Sequence, residues 1–260
     1  MIRNLLTSNL PSTVLLLICL LFIPGCGGKK EVPRQTPPPQ TAVDTREPGT
    51  ITCEAILEGP APKMNAVMMN ADRKCAGMHT EPVYFQTVIA NGKGMLQNAF
   101  VYVKEGLGSR TFPVPSQPVE INQKGCMYEP HILGIQVNQT LLILNSDPVL
   151  HNIHALPKLN EQFNVAQPRI GTKTEKMFTN PEIMVRVKCD VHSWMGCYIG
   201  VLDHPFCAVT DSTGSCELKR VPPGDYTISV WHEKYGPLEQ RVSLAAGEKK
   251  KIQFRFQSGT

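Results

Sequence analysis

One stretch constrains this chain more than any other: Val185–Met195, VRVKCDVHSWM. It reads as a strand that runs directly into a short loop rich in metal-ligand side chains. Successive strand residues point to opposite faces. Ile183, Val185, Val187 and Cys189 are therefore expected on one face, with Arg186 and Lys188 on the other. Beyond Cys189 the spacing C-x2-H-x2-M lets a thiolate, an imidazole and a thioether converge from Cys189, His192 and Met195.

That donor set suits copper. A trigonal site of two imidazoles and one thiolate, with a long weak thioether bond, is the arrangement of type 1 electron-transfer centres. The loop lacks one imidazole, which has to come from another strand. The segment Leu141–Pro157, LLILNSDPVLHNIHALP, offers His151, followed by Asn152, and then His154. Residues 151 and 153 share a strand face and 154 faces away from 151, so only one of the two histidines can join the site.

Leu150-His151-Asn152-Ile153-His154, followed by Cys189-x2-His192-x2-Met195, resembles the cupredoxins, and among them the amicyanins. The resemblance runs over roughly residues 114–204. It implies a Greek-key β-sandwich holding one type 1 copper, with His151, Cys189, His192 and Met195 as ligands. It also implies that Asn152 ties the two ligand loops together by hydrogen bonds. Asp190 and Val191 stand where the family has Thr-Pro, and Trp194 sits beside the axial Met. These departures bear on the reduction potential and the partner surface.

Residues 1–25 read as a targeting segment, with Arg3 ahead of a Val14–Ile23 apolar run too short to span a bilayer comfortably. The run ends Ile23-Pro24-Gly25-Cys26, which resembles the lipobox of bacterial lipoproteins and implies lipid on Cys26. An ordinary secretory signal cut nearby is the alternative, and both predict export. Residues 26–48, with PRQTPPPQT, read as a Pro-rich tether.

Outside the cytoplasm disulfides persist, so cysteines can be counted. Of nine cysteines, Cys19 leaves with the signal and Cys26 carries lipid, which leaves seven. Setting Cys189 aside for the metal leaves six: Cys53, Cys75, Cys126, Cys197, Cys207 and Cys216. Cys75 and Cys126, both placed in loops, are the preferred bridge. Cys207 and Cys216 flank the turn Asp211–Gly214, but their registers come out diagonal, so no bridge is assigned to them.

The rest of the chain is all β in pattern, with no long helical period. Strands are expected in 49–62, in 83–95 before an Asn-Gly turn, in 99–106, through 116–145, and in CYIGVLD after Met195. Residues 208–236, with T-D-x-x-G and P-P-G-x-Y, resemble the carboxypeptidase regulatory-like, transthyretin-like domain; Cys216 replaces its usual aromatic. That family opens with strands of the kind found in 49–106. The expected organisation is a discontinuous regulatory-like sandwich, 49–112 plus 205–257, with the cupredoxin domain 113–204 inserted. A simple tandem of two sandwiches is the alternative.

Function follows as an expectation. The net charge of +4 and the lack of basic clusters interleaved with aromatics argue against nucleic acid. No second histidine set is present for a catalytic copper, and Ser193 stands where a binuclear site would need another cysteine. The chain therefore reads as an electron carrier, not an enzyme. It would be lipid-anchored, facing the periplasm or the cell surface, with transient redox-protein partners. His192 is the expected exit for electrons, with Pro148, Val149, Trp194 and Pro205 as docking surface. The alternative is copper storage, delivery or sensing, with Met64, Met68, Met69, Cys75, Met78 and His79 as soft ligands beside Cys126 and His131.

Overall fold

A computed structural model describes residues 46–259. The targeting segment, Cys26 and most of the tether lie outside the described residues. In order the elements are β1 (Gly49–Glu58), a one-turn helix α1 (Arg73–Ala76), β2 (Ile89–Ala90), β3 (Leu96–Gln97) and β4 (Phe100–Glu105). Then come β5 (Val119–Lys124), β6 (Met127–Glu129), β7 (Ile132–Gln136), β8 (Leu141–Asn145), β9 (His151–Leu156), β10 (Phe163–Gln167) and β11 (Lys173–Lys176). β12 (Glu182–Lys188) and β13 (Gly196–Leu202) complete the middle of the chain. β14 (Cys207–Val209), β15 (Ser215–Val221), β16 (Gly224–His232), β17 (Gly236–Leu244) and β18 (Lys249–Gln257) follow. The fold is all β.

The strands form two lobes. In the first, β1 lies between β15 and β18, and β4 lies between β14 and β16, which pairs on with β17. Strict alternation in β1 buries Ile51, Cys53, Ala55 and Leu57 on one face. These pack with Val101, Val103, Ile228, Val230, Ile252 and Phe254 in one core. The second lobe stacks the sheet β10-β9-β12-β13-β7 on the sheet β11-β8-β5-β6. Its core holds Ile121, Ile143, Ile153, Val187 and Ile199. The chain thus starts the first lobe with β1 and β4, builds the second lobe, and returns to finish the first with β14–β18.

The lobes meet at Phe100, which is fully buried with Tyr102, Ile132 and Leu202. Gly134 and Gly200 are register partners on β7 and β13. A Cβ on Gly200 would lie 2.4 Å from the Phe100 ring, and one on Gly134 would lie 2.9 Å from it. Two glycines side by side open the window that the ring from β4 fills.

Two local expectations change. The strand foreseen in 83–95 is reduced to β2 and isolated bridges of Tyr84 to Ala66 and Met95 to Ile56, because the segment crosses between lobes: Val83 packs against the second, and Val88 and Ala90 against the first. On β12 the register shifts between Glu182 and Val185, and Met184 has φ 62°. The bulge turns Ile183 out to solvent, so Ile183 does not share the Cys189 face.

His232 ends β16 almost fully buried, stacked on Tyr235 at 4.9 Å, with its Nδ1 accepting from Lys234 N–H at 3.2 Å. Its Nε2 has no hydrogen-bond partner among the described residues. Burial pushes its pKa down to about 4, and the nearby Glu233 charge only partly opposes this. A depressed histidine stabilises the fold above the unfolded pKa of about 6.5, and this contribution is lost as pH falls toward 4. The loss is on the order of 3 kcal/mol. Urea unfolding at pH 7 and pH 4 should show parent stability falling more steeply than that of His232→Phe. Parallel losses would remove the assignment.

Candidate metal centre

The site sits at one end of the second lobe, where two neighbouring strands of one sheet bring their ends together. Cys189 follows β12, and His151 opens β9, the strand paired with β12. The loop after Cys189 is closed by its own backbone: Met195 N–H donates to His192 O at 3.0 Å, and Cys189 N–H to Met195 O at 3.2 Å. His192 N–H points at Cys189 Sγ, 3.4 Å away. The ligand atoms of His151, Cys189 and His192 lie within 4.8 Å of one another. All three residues and Met195 are buried.

The imidazoles face each other through Nδ1, 3.0 Å apart. Each Nε2 lies against a carboxylate: His151 against Asp147 Oδ2 at 2.9 Å, and His192 against Asp72 Oδ2 at 3.2 Å. A carboxylate accepts, so each Nε2 carries a proton and each Nδ1 presents a lone pair. Two lone pairs at that distance repel unless a cation or a proton lies between them. The Cys189 sulfur, 4.0 Å from His192 Nδ1, completes the ring. Imidazole and thiolate bonds to a small borderline-soft ion run about 2.0 and 2.3 Å. Three such bonds place donors about 3.3–4 Å apart, and the observed spacing brackets this, so the residues fit such an ion.

The electrostatics agree. Burial opposes charge on His151, but the Asp147 carboxylate and then Cys189 outweigh it, and the pKa is pushed up to about 9. Burial likewise opposes the thiolate, yet hydrogen bonds from His151 and from backbone near the loop hold Cys189 below the ordinary thiol value. Asp147 is itself almost fully buried and accepts from Gly125 N–H and Cys126 N–H, both at 2.7 Å.

Asn152 spans the two ligand loops. Its Oδ1 accepts from Asp190 N–H at 2.7 Å and lies 3.2 Å from Cys189 Sγ. Its Nδ2 donates to Asn164 Oδ1 at 2.6 Å. His154 turns the other way, to Asp190 Oδ2 at 2.9 Å, and stays outside the cluster. Asp190 also pairs with Lys188 at 2.7 Å, which holds its carboxyl far below the usual range.

His192, the expected exit for electrons, does not reach the surface. The imidazole is 2% exposed, because residues 67–79 lie over it. Asp72 caps α1 by accepting from Lys74 N–H and Cys75 N–H, and the same carboxylate reaches His192. Cys75 is disulfide-bonded to Cys126, and its sulfur lies 3.5 Å from His192 Nε2. Trp194 Nε1 donates to Cys126 O at 3.0 Å, which ties the ligand loop to the same bridge. Val149 is buried too, and so is no docking surface. The methionines do not converge: Met64 packs into the first lobe, Met69 and Met78 against the second, and Met68 is 69% exposed.

Nothing in the sequence pattern marks Asp72 as part of the site, and the one signal for Asp147 is its place four residues before His151.

A family profile described as PEGA domain matches residues 213–260. No curated protein matches the chain. Among solved structures, the copper-containing nitrite reductase of Thermus scotoductus SA-01 is 19% identical, over 37% of this chain and 26% of its own, with a TM-score of 0.29. The match thus spans about a quarter of that reductase. A purple cupredoxin from Nitrosopumilus maritimus is 24% identical over 32% of this chain and 97% of its own, TM-score 0.28. An amicyanin variant in the Cu(I) form is 16% identical over 39% of this chain and 97% of its own, TM-score 0.30. Likenesses this distant leave the site's chemistry to be read from its own residues.

The cover over His192 can be tested on metal-free protein. Diethyl pyrocarbonate should modify His192 slowly in the parent. It should modify it at least about tenfold faster in Asp72→Ala/Cys75→Ser/Cys126→Ser, which lacks the carboxylate and the bridge. Equal rates, read by peptide mass mapping, would show that the covering segment does not shield the ring.

Proposed function

We propose that this chain is a type 1 copper protein that carries single electrons, with His151, Cys189 and His192 as equatorial ligands and Met195 as the weak axial one. The reading rests on one observation: two buried imidazole lone pairs turned toward each other beside the Cys189 sulfur, each ring held from behind by a carboxylate. Copper would supply a one-electron couple there. The chain supplies the rest. Asp147 and Asp72 fix both tautomers, Asn152 holds the two loops at a set separation, and the apolar core keeps water out. A site so braced rearranges little between oxidation states, as rapid one-electron exchange requires.

We place the protein outside the cytoplasm, anchored by lipid on Cys26, with weakly docking redox partners. The first lobe, of the regulatory-like kind, serves as a scaffold. The buried edge of His192 favours a second reading, copper binding without rapid transfer, because it puts the covering segment between a partner and the ligand.

Two measurements test this. Cys189→Ser should lose the intense visible thiolate-to-Cu(II) absorption and still unfold cooperatively near the parent temperature. A variant that kept the band would exclude Cys189 as the ligand. A reversible couple in the parent by voltammetry supports the carrier; a colourless protein that takes up only Cu(I) supports the second reading.

The histidines are separable as well. His151→Ala should lower copper affinity by at least about 100-fold, whereas His154→Ala should leave it within a few-fold. Affinities measured by competition with a chromophoric chelator decide it, and the reverse order would move the site to the other face of β9.

A further inference from the structure

Cys53 and Cys216 stand apart from the metal centre, in the core of the first lobe. Both structure and register bring them together. Cys53 on β1 and Cys216 on β15 are direct partners across an antiparallel pair, two residues from the partners Ile51 and Leu218. Direct partners share a sheet face. Both cysteines pack in the same apolar cluster, Cys53 with no exposure and Cys216 half-buried. The Cys53 thiol lies 3.9 Å from Ile51 O, and the neighbouring Cys216 thiol, more than burial, pushes its pKa far above the ordinary value. Opposed cross-strand residues place their Cβ atoms about 4.5–5.5 Å apart, and a disulfide needs about 3.5–4.5 Å. A small local approach of the strands closes that gap.

Both cysteines are free thiols in the structure. We propose that in the exported protein Cys53 and Cys216 are joined by a second disulfide, which fastens the strand before the metal lobe to a strand after it. The oxidant is a protein or small-molecule disulfide. Cys216 as thiolate attacks it and forms a mixed disulfide, releasing one thiol. Cys53 as thiolate then attacks the Cys216 sulfur and releases the second thiol. The two cysteines lose two electrons and two protons, and the oxidant gains both.

The chemistry also sets the time of closure. In the finished fold Cys53 is sealed in the core and its thiol resists ionisation, so it is a poor nucleophile. The bond therefore forms during folding, before β15 closes over β1. Cys197 and Cys207 are not competitors of equal standing. Cys197 is fully buried with its pKa raised by burial, and Cys207 faces Gly134 of the other lobe, where a Cβ would come within 2.6 Å of its sulfur.

The inference takes from the proposed function only the export reading, and its test is independent of copper. The full chain is denatured, reduced, and refolded without metal in a mixture of reduced and oxidised glutathione. It is then denatured again and labelled with a maleimide, with no reductant. Non-reducing peptide mapping should give a linked pair containing Cys53 and Cys216, both unlabelled, beside the Cys75–Cys126 pair. Label on both cysteines would overturn the proposal, and so would a peptide joining Cys216 to Cys207. A second arm refolds the chain with reductant present, so that the fold closes around free Cys53 and Cys216 thiols, then removes the reductant and adds oxidised glutathione. Cys216 alone should then acquire glutathione, and rapid closure to Cys53 would overturn the stated timing.

Discussion

Two imidazole nitrogens 3.0 Å apart, each with its lone pair turned toward the other, are the interaction on which the second lobe is arranged. Such a contact is repulsive by itself. It persists because the backs of both rings are fixed, one by Asp147 and the other by Asp72. Asp147 is in turn fixed by two backbone N–H groups of the loop that carries Cys126. A small electropositive species between the rings would relieve the repulsion. The raised pKa of His151 and the lowered pKa of Cys189 are two expressions of this one arrangement.

The covering segment follows from the same constraint. An imidazole whose Nε2 must be protonated needs an acceptor. Here the acceptor comes from outside the second lobe's own strands, from the cap of a single helical turn. That turn is too short to hold its own shape. The disulfide and the burial of Val67, Met69 and Cys75 hold it instead. The outcome is an imidazole ring with Asp72 and the sulfur bridge against its Nε2 edge and Trp194, half-buried, 5.0 Å away on the other flank of the loop.

How much of this was legible in the sequence depends on range. The strand leading into Cys189 and the C-x2-H-x2-M loop are local patterns, and alternation reads them directly. So was the separation of His151 from His154, since a period of two fixes opposite faces. Ile183 was misplaced because a bulge at Met184 breaks that period, and Met184 is not a residue type that favours positive φ. The segment 83–95 has strand composition, but its backbone partners lie largely in an irregular loop. Asp72 and the buried edge of His192 were out of reach, because they depend on a contact between residues 120 apart in sequence.

The Phe100 contact packs the two lobes closely where a flexible linker would join them as well. Phe100 seats in a glycine window on the sheet that also carries β12 and the ligand loop. Close to the loop, His131 spans the gap: Nδ1 contacts Gly196 O at 3.1 Å, and Nε2 contacts Glu233 at 2.6 Å. Gly196 directly follows Met195, so the first lobe holds the backbone beside the thioether. Met195 is held by the buried packing around it and by the hydrogen bond at the residue that follows it. The first lobe supplies two such supports, the seated ring and the histidine–glutamate pair, from strands on either side of the inserted segment.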